Sequence, residues 1–83
     1  MSYFRIVKGE GKEVLVMPNV EKDEPGVLLI WFPTIDEGVK IAMGYNSWEE
    51  AEEALKRLTD EGIISFIKNM VPPEILEYYA NAS

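Results

Sequence analysis

Cysteine and histidine, which carry much of enzyme and metal chemistry, are both absent from this sequence of 83 residues. Without cysteine the chain can form no disulfide and no thiolate zinc site, and without histidine it lacks the usual general base near neutral pH. Its hydroxyl and amine side chains therefore have no obvious activating partner. We predict no catalytic residues, no metal site and no cofactor, and hence a protein that is not an enzyme.

The segment Gly9-Glu10-Gly11-Lys12 is superficially similar to a phosphate-binding loop. A Walker loop has four residues between its first glycine and the Gly-Lys pair, and a serine or threonine after the lysine, and neither feature is present. A dinucleotide-binding loop has a third glycine and leads into a helix, whereas residues typical of a strand follow here. The segment is therefore predicted to be the turn of a β-hairpin.

Carboxylates cluster in two predicted loops, 19–26 and 34–38. The first contains Glu21, Asp23 and Glu24, and the second contains Asp36 and Glu37. Neither loop has the ligand spacing of an EF-hand, so both are interpreted as solvated turns, with a weak cation site as the alternative.

The densest negative patch lies in the segment 49–53, which contains four glutamates. Acidic residues near the start of a helix complement its dipole, and Glu53 with Arg57 forms a favourable i,i+4 pair, so local structure explains much of the pattern. The functional hypothesis is that Glu49, Glu50 and Glu53 present a negative face to a basic partner.

Aromatic residues are the other candidates for recognition. Core packing is predicted for Trp31 and Trp48, which both lie in apolar patterns. Tyr78 and Tyr79 lie near the end of the chain, and tyrosine is favoured at interfaces because it combines a large apolar ring with a polar hydroxyl. The predicted partner-binding residues are therefore Glu49, Glu50, Glu53, Tyr78 and Tyr79.

Hydrophobic periodicity predicts the elements that position these residues. Alternating or continuous apolar patterns indicate four strands, and the unbroken run Val27–Phe32 indicates a strand buried on both faces at the centre of a sheet. A fifth strand is predicted at Ile63–Ile67. The first four predicted strands are Tyr3–Lys8, Glu13–Met17, Val27–Phe32 and Val39–Met43.

Two helices are predicted. Ser47 and Glu50 fit a capping box, in which Ser47 accepts from the Glu50 amide and Glu50 reaches back to the Ser47 amide. This helix should run from Trp48 to about Asp60 and stop at Gly62. A short helix should span residues 72–79, with its proline pair tolerated in the first turn.

The predicted fold is a single α+β domain covering residues 1–83, in the order β-β-β-β-α-β-α. It contains a small, mostly antiparallel sheet of four to five strands packed against one main helix, with a short C-terminal helix. The order of the strands within the sheet stays open.

The net charge of −7 at pH 7 disfavours binding to nucleic acid or to an anionic membrane. No apolar run approaches membrane-spanning length, and the absence of cysteine and of a signal-like start favours a cytoplasmic protein. The leading hypothesis is a non-enzymatic protein–protein interaction module, such as a small acidic inhibitor or adaptor that binds a basic surface, with nucleic-acid mimicry as a special form. The alternatives are a small-ligand-binding domain and a homo-oligomeric structural protein, including a homodimer formed through open sheet edges.

Overall fold

Four β-strands followed by three α-helices form the part of the chain that the computed structural model describes, residues 4–20 and 23–81. The strands form one antiparallel sheet in the order β1-β2-β3-β4. The α+β class and the four-stranded sheet are therefore as predicted. The elements are β1 Arg5–Gly9, β2 Lys12–Pro18, β3 Gly26–Trp31, β4 Val39–Gly44, α1 Trp48–Arg57, α2 Asp60–Met70 and α3 Pro73–Asn81.

The glycine-rich segment between β1 and β2 is a hairpin turn, as predicted, and not a phosphate loop. Gly9 pairs with Lys12, and the two residues between them both have positive φ, 49° for Glu10 and 74° for Gly11. Positive φ at both central positions is typical of the type I′ turn, whose twist matches that of the strands. The Lys68 ammonium lies 2.9 Å from the Glu10 carboxylate, ties the end of α2 to this turn and lowers the pKa of Glu10.

The central strand β3 is buried along its whole length, as the continuous apolar run predicted. Successive side chains of a strand point to opposite faces of the sheet, so Val27, Leu29 and Trp31 lie on one face and Leu28 and Ile30 on the other. Helices α1 and α2 cover the first face, which we call the core face. Its buried strand residues are Val7, Val14, Val16, Val27, Leu29 and Trp31, and they pack against Leu55, Ile63, Ile64 and Ile67 of the helices.

The second face of the sheet, which we call the open face, carries Leu28 and Ile30 of β3 with Leu15 and Met17 of β2 and Ile6 of β1. Leu28 and Ile30 are buried, yet neither belongs to the core that the helices cover. Within residues 4–20 and 23–81, no helix packs on this face. The sheet therefore has one side closed by helices and one side without such a layer.

The fifth strand predicted at Ile63–Ile67 is wrong, because this segment is the middle of α2. Thr59 caps the helix, and its Oγ1 accepts a hydrogen bond of 3.0 Å from the Gly62 amide. Gly62, predicted as the stop of the preceding helix, therefore lies in the first turn of the next. That preceding helix, α1, already ends at Arg57.

Burial along α2 explains the error. The apolar run is short enough to be a strand, but its buried positions are spaced as in a helix. Ser65, which a strand would place on the same face as Ile63 and Ile67, is exposed. The buried residues are Ile63, Ile64, Ile67 and the following Val71.

The start of α1 differs from the predicted capping box in one contact. Ser47 Oγ accepts from the Glu50 amide at 3.2 Å, as predicted. The Glu50 carboxylate accepts from the Asn46 amide at 3.3 Å, not from the Ser47 amide. The first turn of α1 is thus closed by two reciprocal bonds across residues 46–50.

The two tryptophans have different environments. Trp31 is buried at 4% exposure in the core, as predicted, whereas Trp48 is 37% exposed and does not meet that prediction. Trp48 is the first residue of α1, where its ring lies at the edge of the apolar stripe formed by Ala51 and Leu55. The buried residues of α1 are therefore the two smaller ones, Ala51 and Leu55.

The C-terminal helix is confirmed as α3, Pro73–Asn81. The helices α1, α2 and α3 are 10, 11 and 9 residues long. In the described part of the chain, none of the helices combines the length and the apolar character needed to cross a membrane.

The helical state of α2 predicts different costs for substitutions at two positions that lie two residues apart and on opposite sides of the helix. Ile67→Ala should lower the free energy of unfolding by about 2–5 kcal/mol, because Ile67 is fully buried. Ser65→Lys should change it by less than about 0.5 kcal/mol, because the side chain points to solvent. Urea unfolding followed by circular dichroism measures both. A strand would place Ser65 beside Ile67, so a large loss for Ser65→Lys would contradict the helix.

Candidate functional site

The three glutamates of the predicted negative face lie in a single open groove of about 740 Å³ along α1. Glu49, Glu50 and Glu53 are spaced i, i+1 and i+4, so one side of the helix presents all three carboxylates. The structure adds residues from before and after the helix. Those that matter for recognition are Glu49, Glu50, Glu53, Tyr45, Arg57 and Leu58, and we call this site the acidic groove.

Tyr45 joins the acidic groove to the sheet. It follows β4 directly, and its amide donates a hydrogen bond of 2.9 Å to the carbonyl of Pro25, the residue before β3. The side chain is half-buried and packs against the core. The groove therefore has an aromatic wall with a fixed position at the end of the sheet where β3 begins.

The groove has excess negative charge. Three carboxylates line it together with one guanidinium, that of Arg57. Arg57 Nη2 lies 3.9 Å from Glu53 Oε2, which confirms the predicted i,i+4 pair, but the two side chains are 81% and 58% exposed. An ion pair this exposed contributes little and is easily exchanged for another partner.

Further carboxylates lie at the same end of the sheet. Asp23 and Glu24 are exposed and directly precede Pro25, the residue that binds Tyr45. The predicted loop cluster also contained Glu21, which lies outside the described residues. The acidic region thus extends from α1 onto the loop before β3, and no basic residue occurs among 23–26.

Tyr78 and Tyr79 lie at the opposite end of the sheet, so the predicted site divides into two separate surfaces. The Tyr79 ring meets the Trp31 ring edge-on, with centroids 5.8 Å apart, and Trp31 is the last residue of β3. Tyr45, in contrast, bonds Pro25, the residue before the first residue of β3. Tyr78 and Tyr79 stack edge-on at 5.1 Å. Tyr79 is half-buried and Tyr78 is 68% exposed.

Tyr79 anchors α3 to the sheet. Its hydroxyl donates a hydrogen bond to the carboxylate of Glu37, which lies in the loop between β3 and β4. This hydrogen bond holds the proton on the phenol and, with the nearby negative charge, raises the pKa of Tyr79 above its ordinary value of 10.0. The residue thus has a structural role that the sequence did not indicate, and Tyr78 is the more accessible of the pair.

The loop carboxylates do not form a metal centre in the described part of the chain. No group of three or more acidic side chains there is arranged to hold a metal ion. The two acidic loops lie at opposite ends of β3, because one precedes this strand and the other follows it.

The two apolar residues of the acidic groove, Tyr45 and Leu58, were not among the partner-binding residues predicted from the sequence. Leu58 is the C-cap of α1, and its carbonyl accepts a hydrogen bond from Arg5. Tyr45 lines the groove at the other end, before the N-cap Ser47. The available signal for Tyr45 was an aromatic residue two positions before the cap Ser47. That position becomes meaningful only once β4 and α1 are known to meet there.

The Tyr79–Glu37 contact predicts a local dependence on pH. A group whose pKa is raised by folding stabilises the folded state fully below its ordinary pKa, and this contribution is lost as the pH rises through the raised value. We expect the attachment of α3 to weaken only above about pH 10. NMR titration of the Tyr79 ring should show its pKa falling towards the ordinary value in Glu37→Ala.

Asp36→Ala is the matched control, because it removes a neighbouring carboxylate from the same loop. This variant should leave the titration of Tyr79 close to that of the wild type. Equal titration of Tyr79 in the wild type and in Glu37→Ala would show that the contact does not form in solution.

Known proteins supply no relative for this chain, since no family model, no curated protein and no solved structure matches it. The basis for its function is therefore the site itself: an open acidic groove with an aromatic wall at one end of the sheet, and an exposed tyrosine at the other.

Proposed function

We propose that this protein is a non-enzymatic protein–protein interaction module whose acidic groove receives a basic surface of a partner. The observation that carries the proposal is the convergence of Glu49, Glu50 and Glu53 in one groove with the ring of Tyr45. Helix electrostatics alone accounts for acidic residues at the start of α1, but it does not require an aromatic wall facing them.

The groove has the chemistry to bind a lysine or arginine side chain. Such side chains combine an apolar stem with a charged head. Tyr45 and Leu58 offer apolar surface to the stem, and the glutamates offer carboxylates to the head. The Tyr45 ring can also attract a cation over its face.

The charge of the site also determines how the partner would be captured. An exposed negative groove on a chain of net charge −7 accelerates association with a positive surface and repels negative ones. Because exposed charges are screened by salt, binding through the groove should weaken as ionic strength rises.

An inhibitor or adaptor role is consistent with this mode of binding. A small domain seated on a basic surface blocks whatever else that surface binds, including nucleic acid, and a second surface could recruit another protein. Tyr78 is exposed at the far end of the sheet and remains a predicted partner contact, separate from the acidic groove.

The groove can be tested by neutralising two of its carboxylates. Glu49→Gln with Glu53→Gln should reduce capture of a basic partner about tenfold, since exposed charge contacts contribute roughly 0.5–1 kcal/mol each. Glu50 is left intact because its carboxylate accepts from the Asn46 amide and supports the helix start. The measurement is affinity capture from cell extract at low and high salt, quantified by mass spectrometry.

A matched control has the same net charge as the groove variant. Glu52→Gln with Glu77→Gln removes two exposed carboxylates that do not line the groove. The control should retain the partners of the wild type, and the groove variant should lose those that high salt releases. Equal loss in both variants would mean that overall charge, and not the groove, governs binding.

A further inference from the structure

The open face of the sheet is an apolar surface that the proposed acidic groove does not use. Every helix packs on the other side: Leu55 of α1 and Ile67 of α2 belong to the core cluster, and Tyr79 of α3 meets Trp31 of the core face. The loop after β3 approaches the open face. There, a Cβ placed on Gly38 would lie 3.1 Å from Ile30 Cγ2.

The apolar side chains around the centre of this face are exposed, whereas the two central residues, Leu28 and Ile30, are 3% and 9% exposed. Ile6 of β1 is 57% exposed, Phe4 just before it is 64% exposed, and Phe32 just after β3 is 37% exposed. Leu15 and Met17 of β2 lie between them and are half-buried. Contiguous apolar patches larger than a few hundred Å² are rare on monomeric proteins and mark sites of association.

The size of the face suits a weak, reversible interface. Four strands about 4.8 Å apart, each about six residues long at 3.3 Å per residue, span about 20 by 20 Å. Two such faces in contact would bury at most about 800 Å² in total, which is below the roughly 1,000 Å² of a stable interface and within the range of weak, transient contacts. We therefore expect a reversible contact, at micromolar affinity or weaker.

The charge distribution selects a second copy as the occupant. A chain of net charge −7 repels its own kind wherever its acidic surfaces meet. The charged residues that the strands place on the open face are Lys8, Glu13 and Lys40, so these residues give the face no net negative charge. Lys8 and Glu13 are register partners of opposite sign, and a two-fold axis can place the lysine of each copy near the glutamate of the other.

We infer that two copies of this chain associate through their open faces, sheet against sheet, with Ile6, Leu15 and Met17 at the contact. Side chains of the two sheets would interdigitate across a layer about 10 Å thick, as in β-sandwiches. The acidic grooves lie at the ends of the sheets, beside the helices on the core faces, and stay accessible in the pair. The contact does not depend on the groove having a partner.

The test is sedimentation of the purified protein from about 5 to about 500 µM, a range that brackets the affinity expected for a small interface. The wild type should shift from the 9.5 kDa monomer towards twice that mass. Ile6→Lys should sediment as a monomer throughout. This substitution makes the net charge less negative, so added repulsion cannot explain a loss of association.

Met70→Lys is the matched control, since Met70 is 55% exposed at the end of α2, away from the open face. It should associate like the wild type. In the wild type, dilution should move the methyl NMR signals of Ile6, Leu15 and Met17 and leave that of Ile67 unchanged. This measurement needs no variant to fold.

Three results would overturn the inference. A wild type that is monomeric up to the highest concentration would leave a different protein as the occupant of the face. Association that survives Ile6→Lys would place the contact elsewhere, for example at the sheet edges. NMR signals that move on dilution only in helices α1 to α3 would also place the contact away from the open face.

Discussion

The structure depends on the burial of β3. Every residue from Gly26 to Trp31 is buried, and burying one large apolar side chain contributes roughly 1.5–3 kcal/mol. A strand with no polar side requires neighbours on both edges and cover on both faces. Strands β2 and β4 supply the edges, and α1 and α2 supply cover for the core face. The helices following the sheet are thus a consequence of one apolar run within it.

The same strand separates the two surfaces considered for binding. Tyr45 bonds the residue before β3, and Tyr79 packs on Trp31 at the end of it. Six residues of strand span about 20 Å, which is too far for one side-chain contact to join them. The acidic groove and α3 therefore belong to opposite ends of the sheet, although the helices that carry them are close in sequence.

Several elements could be read from the sequence because their signals are local. The Glu10-Gly11 turn, the central strand and the Ser47 cap each depend on a few adjacent residues, and each was correctly placed. The segment Ile63–Ile67 was not, because a run of four apolar residues around one serine fits a strand or a helix equally well. The Thr59 side chain caps a new helix here, whereas the sequence had predicted that Gly62 ends the preceding helix.

The candidate site shows the same limit. Helical spacing was enough to group the three glutamates, since it is fixed within α1. The wall formed by Tyr45 depends on where β4 delivers the chain, and the anchoring of Tyr79 depends on a contact with Glu37, 42 residues away in sequence. Such long-range contacts follow from the packing of whole elements, so no short sequence pattern reveals them.

The two proposed surfaces differ in what folding already explains. Glu49 and Glu50 stabilise the start of α1, so the groove can be acidic at no cost to the fold. Phe4 and Ile6 are exposed, and their exposure has no comparable stabilising role among residues 4–20 and 23–81. An apolar edge that water reaches favours aggregation unless something covers it. The groove is therefore compatible with a lone domain, whereas the open face is the stronger structural reason to expect a second layer.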